Sequence, residues 1–207
     1  MNKIIINFSR LVILGLLVFG FLNMVGILNF SINYTWSGSF IVAFFVLLMV
    51  ELIAYFNRKK ANSDAPAFIF IAAAIGLSLD FIGDKFFLFN ELEYYDRIAH
   101  FFAGGVLGGG IIYLFIRALD KAGVIKLDLL GTGFFSWMTI NFFGILNELV
   151  EYFEDVLTGS HRLGDGFDTA DDLFLNMMGS LCIIIILTLY YHFKKKRLSE
   201  SITKTCT

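Results

Sequence analysis

Asp96, Arg97 and His100 stand directly before a glycine-rich apolar run, in the stretch YYDRIAHFFAGGVLGGG at residues 94–110. Asp96 and His100 are one helical turn apart, so a helix turns both to one side. A carboxylate beside an imidazole can hold a metal ion or move a proton. Other acids repeat the spacing. Glu148 and Glu151 are three apart with Asp155 four beyond, and Asp168 and Asp172 are four apart with Asn176 a further turn on. Asp80 and Asp84 show the same four-residue step. Each set lies among Phe, Leu and Ile, as a polar stripe on an apolar segment. Ionisable groups in such segments usually face the bundle interior or a wet cavity and mark function. For Asp168, Asp171 and Asp172 a plainer role competes, because acids around a first helical turn cap N–H groups and oppose the dipole.

The elements that must position these residues are membrane spans. The chain has 207 residues, 57% of them hydrophobic, with 25 Phe and one Pro. The apolar excess falls in runs of about 20 residues, the length that crosses a bilayer. Backbone polar groups in lipid must be satisfied within their own segment, and strand alternation is absent, so the spans are helices. The pattern predicts an all-α, polytopic transmembrane bundle of about six helices, forming a single transmembrane domain over residues 1–207. The helices are expected near 11–30, 39–56, 67–87, 98–118, 129–153 and 172–193, with Pro66 placed where the third can begin. The basic start (Lys3, Arg10) reads as the flank of an uncleaved first helix.

Thirteen of the 16 Lys and Arg residues fall at one set of alternate helix ends, leaving Lys85, Arg97 and Arg162 at the other. Positive residues concentrate on the cytoplasmic side, so both termini are expected in the cytoplasm and all the acid stripes on the external face. Asp165 belongs to the same external acid group. The expected location is the plasma membrane of a prokaryote, as a multi-pass protein. The basic loop NRKKANSD and tail KKKRLSE read as anchors beside anionic lipid rather than as nucleic-acid contacts. Cys182 and Cys206 form no disulfide framework. Gly104, Gly105, Gly108 and Gly109 make two overlapping Gly-xxx-Gly steps, which let helices pack closely within the bundle or between two copies of the chain.

Three of these elements resemble VanZ-like membrane proteins. That superfamily carries an Asp-Lys/Arg-x-x-His-Phe element opening a helix, a Glu-rich helix end, and an Asp-x-x-Asp-x-x-x-Asn-x-x-Gly element opening the last helix. Here they read DRIAHFF (Asp96, Arg97, His100), NELVEYFED (Glu148, Glu151) and DTADDLFLNMMG (Asp168, Asp171, Asp172, Asn176, Gly179), over a core of about residues 80–185. The chain is still more similar to a related family of uncharacterised prokaryotic inner-membrane proteins, which shares the Tyr-Asp-Arg start and a Gly-Asp-x-x-Asp loop such as GDGFDTADD. The resemblance places Arg162 at the arginine of the last element. It implies a shared site and no particular reaction.

Carboxylates with one imidazole suit a hard or borderline divalent cation: Mg²⁺, Mn²⁺ or Ca²⁺, with iron also open. The expected catalytic set is Asp96, His100, Glu148, Glu151, Asp168 and Asp172, with Asp96, His100, Glu148, Glu151 and Asp172 as metal ligands. Arg97, Asn176 and Arg162 are expected to contact substrate, with Arg97 placed to counter phosphate charge. The substrate class this suggests is a lipid or lipid-linked envelope compound, since the external interface is where such molecules lie. Two other readings remain open at this point. Intramembrane acids with a histidine are also parts of an ion- or lipid-transporting pathway. The acids could instead lock helix ends in a non-catalytic envelope binding or scaffold protein.

Overall fold

The computed structural model describes residues 2–59, 67–92, 94–159, 162–164 and 166–205, so Pro66 and Asp165 lie outside the described residues. The described chain is almost wholly helical, and no strand occurs among the described residues. Among the described residues, six helices are long and apolar enough to cross a membrane. They are α1 (Asn2–Met24), α2 (Trp36–Lys59), α3 (Ala67–Lys85), α4 (Tyr95–Lys121), α5 (Leu129–Thr158) and α6 (Gly166–Thr205). One further helical turn, Leu88–Glu91, joins α3 to α4. Ile13, Val50, Ile53, Ile69, Phe70 and Tyr113 form the centre of the apolar core. Phe8, Phe45, Leu130, Phe134 and Ile186 point outward, as lipid-facing side chains must.

Helix ends depart from the sequence expectation for local reasons. α1 is shifted toward the N-terminus, from the expected 11–30 to Asn2–Met24. Gly26 takes a left-handed φ of 76°, and the Ile27 N–H donates back to the Leu22 carbonyl at 2.9 Å, which closes the helix in a Schellman turn. The Asn23 side chain accepts from the Phe30 N–H at 3.0 Å and so holds the chain that follows. Residues 25–35 therefore form a loop. At its other end α1 tolerates Arg10 because Glu51 of α2 receives the guanidinium. The Asp128 side chain caps α5, accepting from the Gly131 N–H at 2.7 Å. α5 runs on to Thr158, beyond the expected residue 153. α6 starts at Gly166 rather than residue 172, so Asp168 belongs to its first turn.

Helix α4 is not uniform. Residues His100–Gly108 wind as a π-helix between α-helical flanks. Such windings are rare and are found frequently at functional sites. The glycines explain how α4 tolerates its neighbour. A Cβ added to Gly105 would stand 2.9 Å from Gly179 Cα and 3.1 Å from the Ser180 nitrogen, so the α4 and α6 backbones touch there. Gly109 packs on Ser180 and Ile183, Gly104 on the Asn176 side chain, and Gly108 faces Ile140 of α5 instead. All four glycines are thus used inside the chain, split between two neighbouring helices.

Candidate functional site

The start of α4 and the start of α6 meet through His100. Its Nε2 lies 3.5 Å from Asp96 Oδ1 and 3.6 Å from Asp172 Oδ2. Its Nδ1 lies 3.1 Å from Asn176 Nδ2. The helical spacings do this work: Asp96 precedes His100 by one turn on α4, and Asp172 precedes Asn176 by one turn on α6. Asp172 and Asn176 are buried. Gly104 provides the space into which the Asn176 amide fits.

The distances discriminate between two kinds of contact. A good N–H···O hydrogen bond spans about 2.7–3.2 Å, and both Nε2 distances exceed it. Ligand atoms about 2.1 Å from a tetrahedral ion stand roughly 3.4 Å apart, close to what His100 shows. The ligand atoms of Asp96, His100 and Asp172 all lie within 4.8 Å of one another. Two ionised carboxylates within that separation repel by about 3 kcal/mol or more at an effective dielectric constant near 20, which a shared proton, a protonated imidazole or a bound cation relieves. Asn176 can serve either state. With Nδ2 toward the ring it donates to an unprotonated Nδ1. Turned over, its Oδ1 accepts from Nδ1–H, the arrangement a metal-bound imidazole requires of its outer partner. That Oδ1 is buried and has no hydrogen-bond partner in the orientation described.

Glu148 of α5 adds a further acid. It is buried, and neither of its carboxylate oxygens has a hydrogen-bond partner. It lies within electrostatic reach of His100, Asp96 and Glu151. An ionised carboxylate in this state is costly, so it too calls for a proton or a cation.

Glu151, one turn on, is turned to a different partner. Arg162 Nε stands 3.2 Å from Glu151 Oε1, and Arg162 Nη1 stands 3.4 Å from Glu154 Oε2. The guanidinium also covers the Tyr34 ring at 4.7 Å. The Arg162 N–H donates to Asp155 Oδ1 at 2.7 Å, which folds the loop after α5 back over the helix end. From the other side, the Thr35 hydroxyl donates to Glu154. Ser39 donates to Asp84 Oδ2 at 3.1 Å, tying α2 to α3. Burial pushes the Tyr34 phenol above its ordinary range, opposed by Arg162. Burial acts to lower the Arg162 guanidinium, but Glu151, Asp80, Asp84 and Glu154 outweigh it and hold that group above its ordinary value. Across the whole end of the bundle, Asp80, Asp84, Asp96, Glu148, Glu151, Glu154 and Asp172 gather about one guanidinium, Arg162, and one imidazole, His100.

The remaining expected residues lie at the rim. Arg97 pairs with Asp171 at 2.7 Å, and both are about half exposed. Together with Phe167 and Asp168 they line an open recess of about 390 Å³. The structure thus brings Asp96, His100, Asp172 and Asn176 together, sets Glu148 beside them, gives Glu151 and Arg162 to each other, and leaves Asp168 and Arg97 outside. Tyr34, Thr35 and Ser39 are the additions. The Asn23 and Gly26 helix stop lengthens the loop that carries Tyr34 and Thr35, while Ser39 lies in the first turn of α2.

Fold and site together define a class: a polytopic α-helical membrane protein with a buried carboxylate–imidazole cluster at one end of its bundle. The chain belongs to the family described as "Predicted membrane protein (DUF2238)", whose model matches residues 6–193 and so reaches all six helices. No curated protein and no solved structure matches it.

Proposed function

We propose that this is a multi-pass protein of a prokaryotic plasma membrane whose extracytoplasmic site binds a divalent cation and acts on a lipid or lipid-linked envelope substrate. The observation that carries the reading is the triangle of Asp96, His100 and Asp172, with ligand atoms within 4.8 Å of one another and an imidazole too far from both carboxylates for good hydrogen bonds. Asp96, His100 and Asp172 hold the cation, Asn176 orients the imidazole, and Glu148 stands ready to accept a proton from a water or substrate hydroxyl. Arg97 at the rim meets a phosphate on the way in. Mn²⁺ or Mg²⁺ suits the oxygen-rich set. The VanZ-like resemblance rests on these same elements and supports a common site. The excess of basic residues at the opposite end supports the external placement.

A through-membrane pathway has less support. Glu51, the acid in the opposite half, is paired with Arg10. Ser136 donates to the Thr132 carbonyl and Asn141 to the Trp137 carbonyl, so the polar side chains of α5 are engaged by their own helix.

Two experiments test the proposal. At a hundredfold excess over its dissociation constant, Mn²⁺ should raise the melting temperature of the detergent-solubilised protein by about 5–10 °C. Asp172→Asn should abolish that rise while keeping the cation-free melting temperature near wild type. A cation-free melting temperature that falls sharply in Asp172→Asn marks a structural pair, and a wild type that does not respond to Mn²⁺, or a variant that responds as the wild type does, ends the metal reading. For orientation, Thr158→Cys in a background of Cys182→Ser and Cys206→Ser should react with an impermeant thiol reagent on intact cells, and Arg58→Cys should not. The reverse result places the site in the cytoplasm.

A further inference from the structure

The opposite end of the bundle carries a second unsatisfied group of the other sign. Tyr113 of α4 is fully buried, and its hydroxyl has no hydrogen-bond partner. One turn on, Arg117 Nε is also enclosed without a partner. The Arg117 guanidinium lies 4.5 Å over the Tyr191 ring of α6, and Tyr191 stacks on Tyr113 with centroids 6.0 Å apart and planes 20° from parallel. Lys121 and Lys194 both lie within electrostatic reach of this guanidinium or of each other. Among the described residues no carboxylate pairs with Arg117, and the nearby acids are in use: Asp120 accepts from the Leu127 N–H and Asp128 caps α5.

An aromatic face attracts a guanidinium but accepts few of its N–H donors. The Tyr113 hydroxyl and Arg117 Nε are left without an acceptor, and Lys121 lies within electrostatic reach of both Arg117 and Lys194. A phosphate offers several acceptor oxygens and negative charge, and guanidinium recognises it with strong charge-assisted bonds. Lys194 also lines an open recess of about 410 Å³ with Tyr190, Phe193 and Arg197, an aromatic wall suited to glycerol and acyl groups. We infer that Tyr113, Arg117, Lys121 and Lys194 form a phosphate site at the basic end of the bundle, and that its ligand is an anionic phospholipid. The site is independent of the carboxylate cluster.

Native mass spectrometry of the full chain with phosphatidylglycerol and phosphatidylcholine tests it. The wild type should retain phosphatidylglycerol preferentially, and Arg117→Gln should bind it about tenfold more weakly. Tyr113→Phe removes only the hydroxyl. It should weaken retention severalfold while leaving the lipid-free melting temperature unchanged or slightly raised, as loss of an unpartnered buried group requires. Lys195→Gln, an exposed neutralisation nearby, should have little effect. Equal retention by wild type and Arg117→Gln, or equal losses in Arg117→Gln and Lys195→Gln, overturns the site. Should Arg117→Gln fail to fold, unchanged retention in Tyr113→Phe overturns it instead. An Arg117-dependent response to inorganic phosphate, with none to phosphatidylglycerol, keeps the anion site and overturns the lipid as its ligand.

Discussion

Arg10 with Glu51 and His100 with its carboxylates are both charge clusters inside a membrane bundle, and they are built differently. Arg10 meets both oxygens of Glu51 and also lies 4.7 Å over the Phe70 ring. One cation answers one anion, and both carboxylate oxygens receive donors. At the other end, carboxylates outnumber cationic groups, Glu148 has no hydrogen-bond partner, and the imidazole stands off from both acids. The closed pair accounts for itself as a link between α1 and α2. The open cluster does not, because left as it stands it would carry uncompensated repulsion. Charge in a bundle marks function where it is unbalanced, rather than wherever it occurs.

The comparison can be broken or sharpened by substitution. The largest effect is expected at Arg162, which belongs to the acid end but is structural by the same criterion. Arg162→Gln leaves Glu151 and Glu154 without their cation and should cost about 3–5 kcal/mol in detergent unfolding. A mild effect there would mean that the acids at this end are already protonated or hold another cation. Next comes Gly105→Ala. The new methyl would press on the Gly179 backbone, and a loss of about 1–3 kcal/mol is expected, with cation binding weakened because His100 and Asn176 are displaced together. Arg10→Gln should cost on the order of 2 kcal/mol, less than a fully buried pair because the Glu51 side chain is 40% exposed. Cation binding at the far end should be untouched. The smallest effect on stability is expected from Glu148→Gln. Removing an unpaired buried charge should leave the cation-free melting temperature unchanged or slightly higher, while substrate turnover is lost. A large destabilisation would show that Glu148 has a structural partner.

The contrast also shows what a sequence can carry. Six apolar runs define six helices because only a helix satisfies its own backbone in lipid. The steps from Asp96 to His100 and from Asp172 to Asn176 were legible because one helical turn fixes a face. Which stripes meet is a different matter. Glu151 has the same spacing as its neighbours, yet it turns to Arg162, a loop residue whose position depends on how the chain folds back through Asp155. The early end of α1 was written in Asn23 and Gly26 but was masked by the apolar residues that follow. The π-helical winding of His100–Gly108 has no counterpart in a simple periodicity, and within it Gly104 and Gly105 face α6 while Gly108 faces α5.

Pulsed electron paramagnetic resonance of Mn²⁺ bound to the purified protein tests the central claim most directly, since it reports both stoichiometry and the nitrogen nuclei bonded to the ion. One saturable Mn²⁺ per chain is expected, with the coupling of a single imidazole nitrogen that disappears in His100→Ala and with binding lost in Asp172→Asn. Mn²⁺ that binds without nitrogen coupling, or equally well to both variants, would contradict the assignment of Asp96, His100 and Asp172 as a cation site.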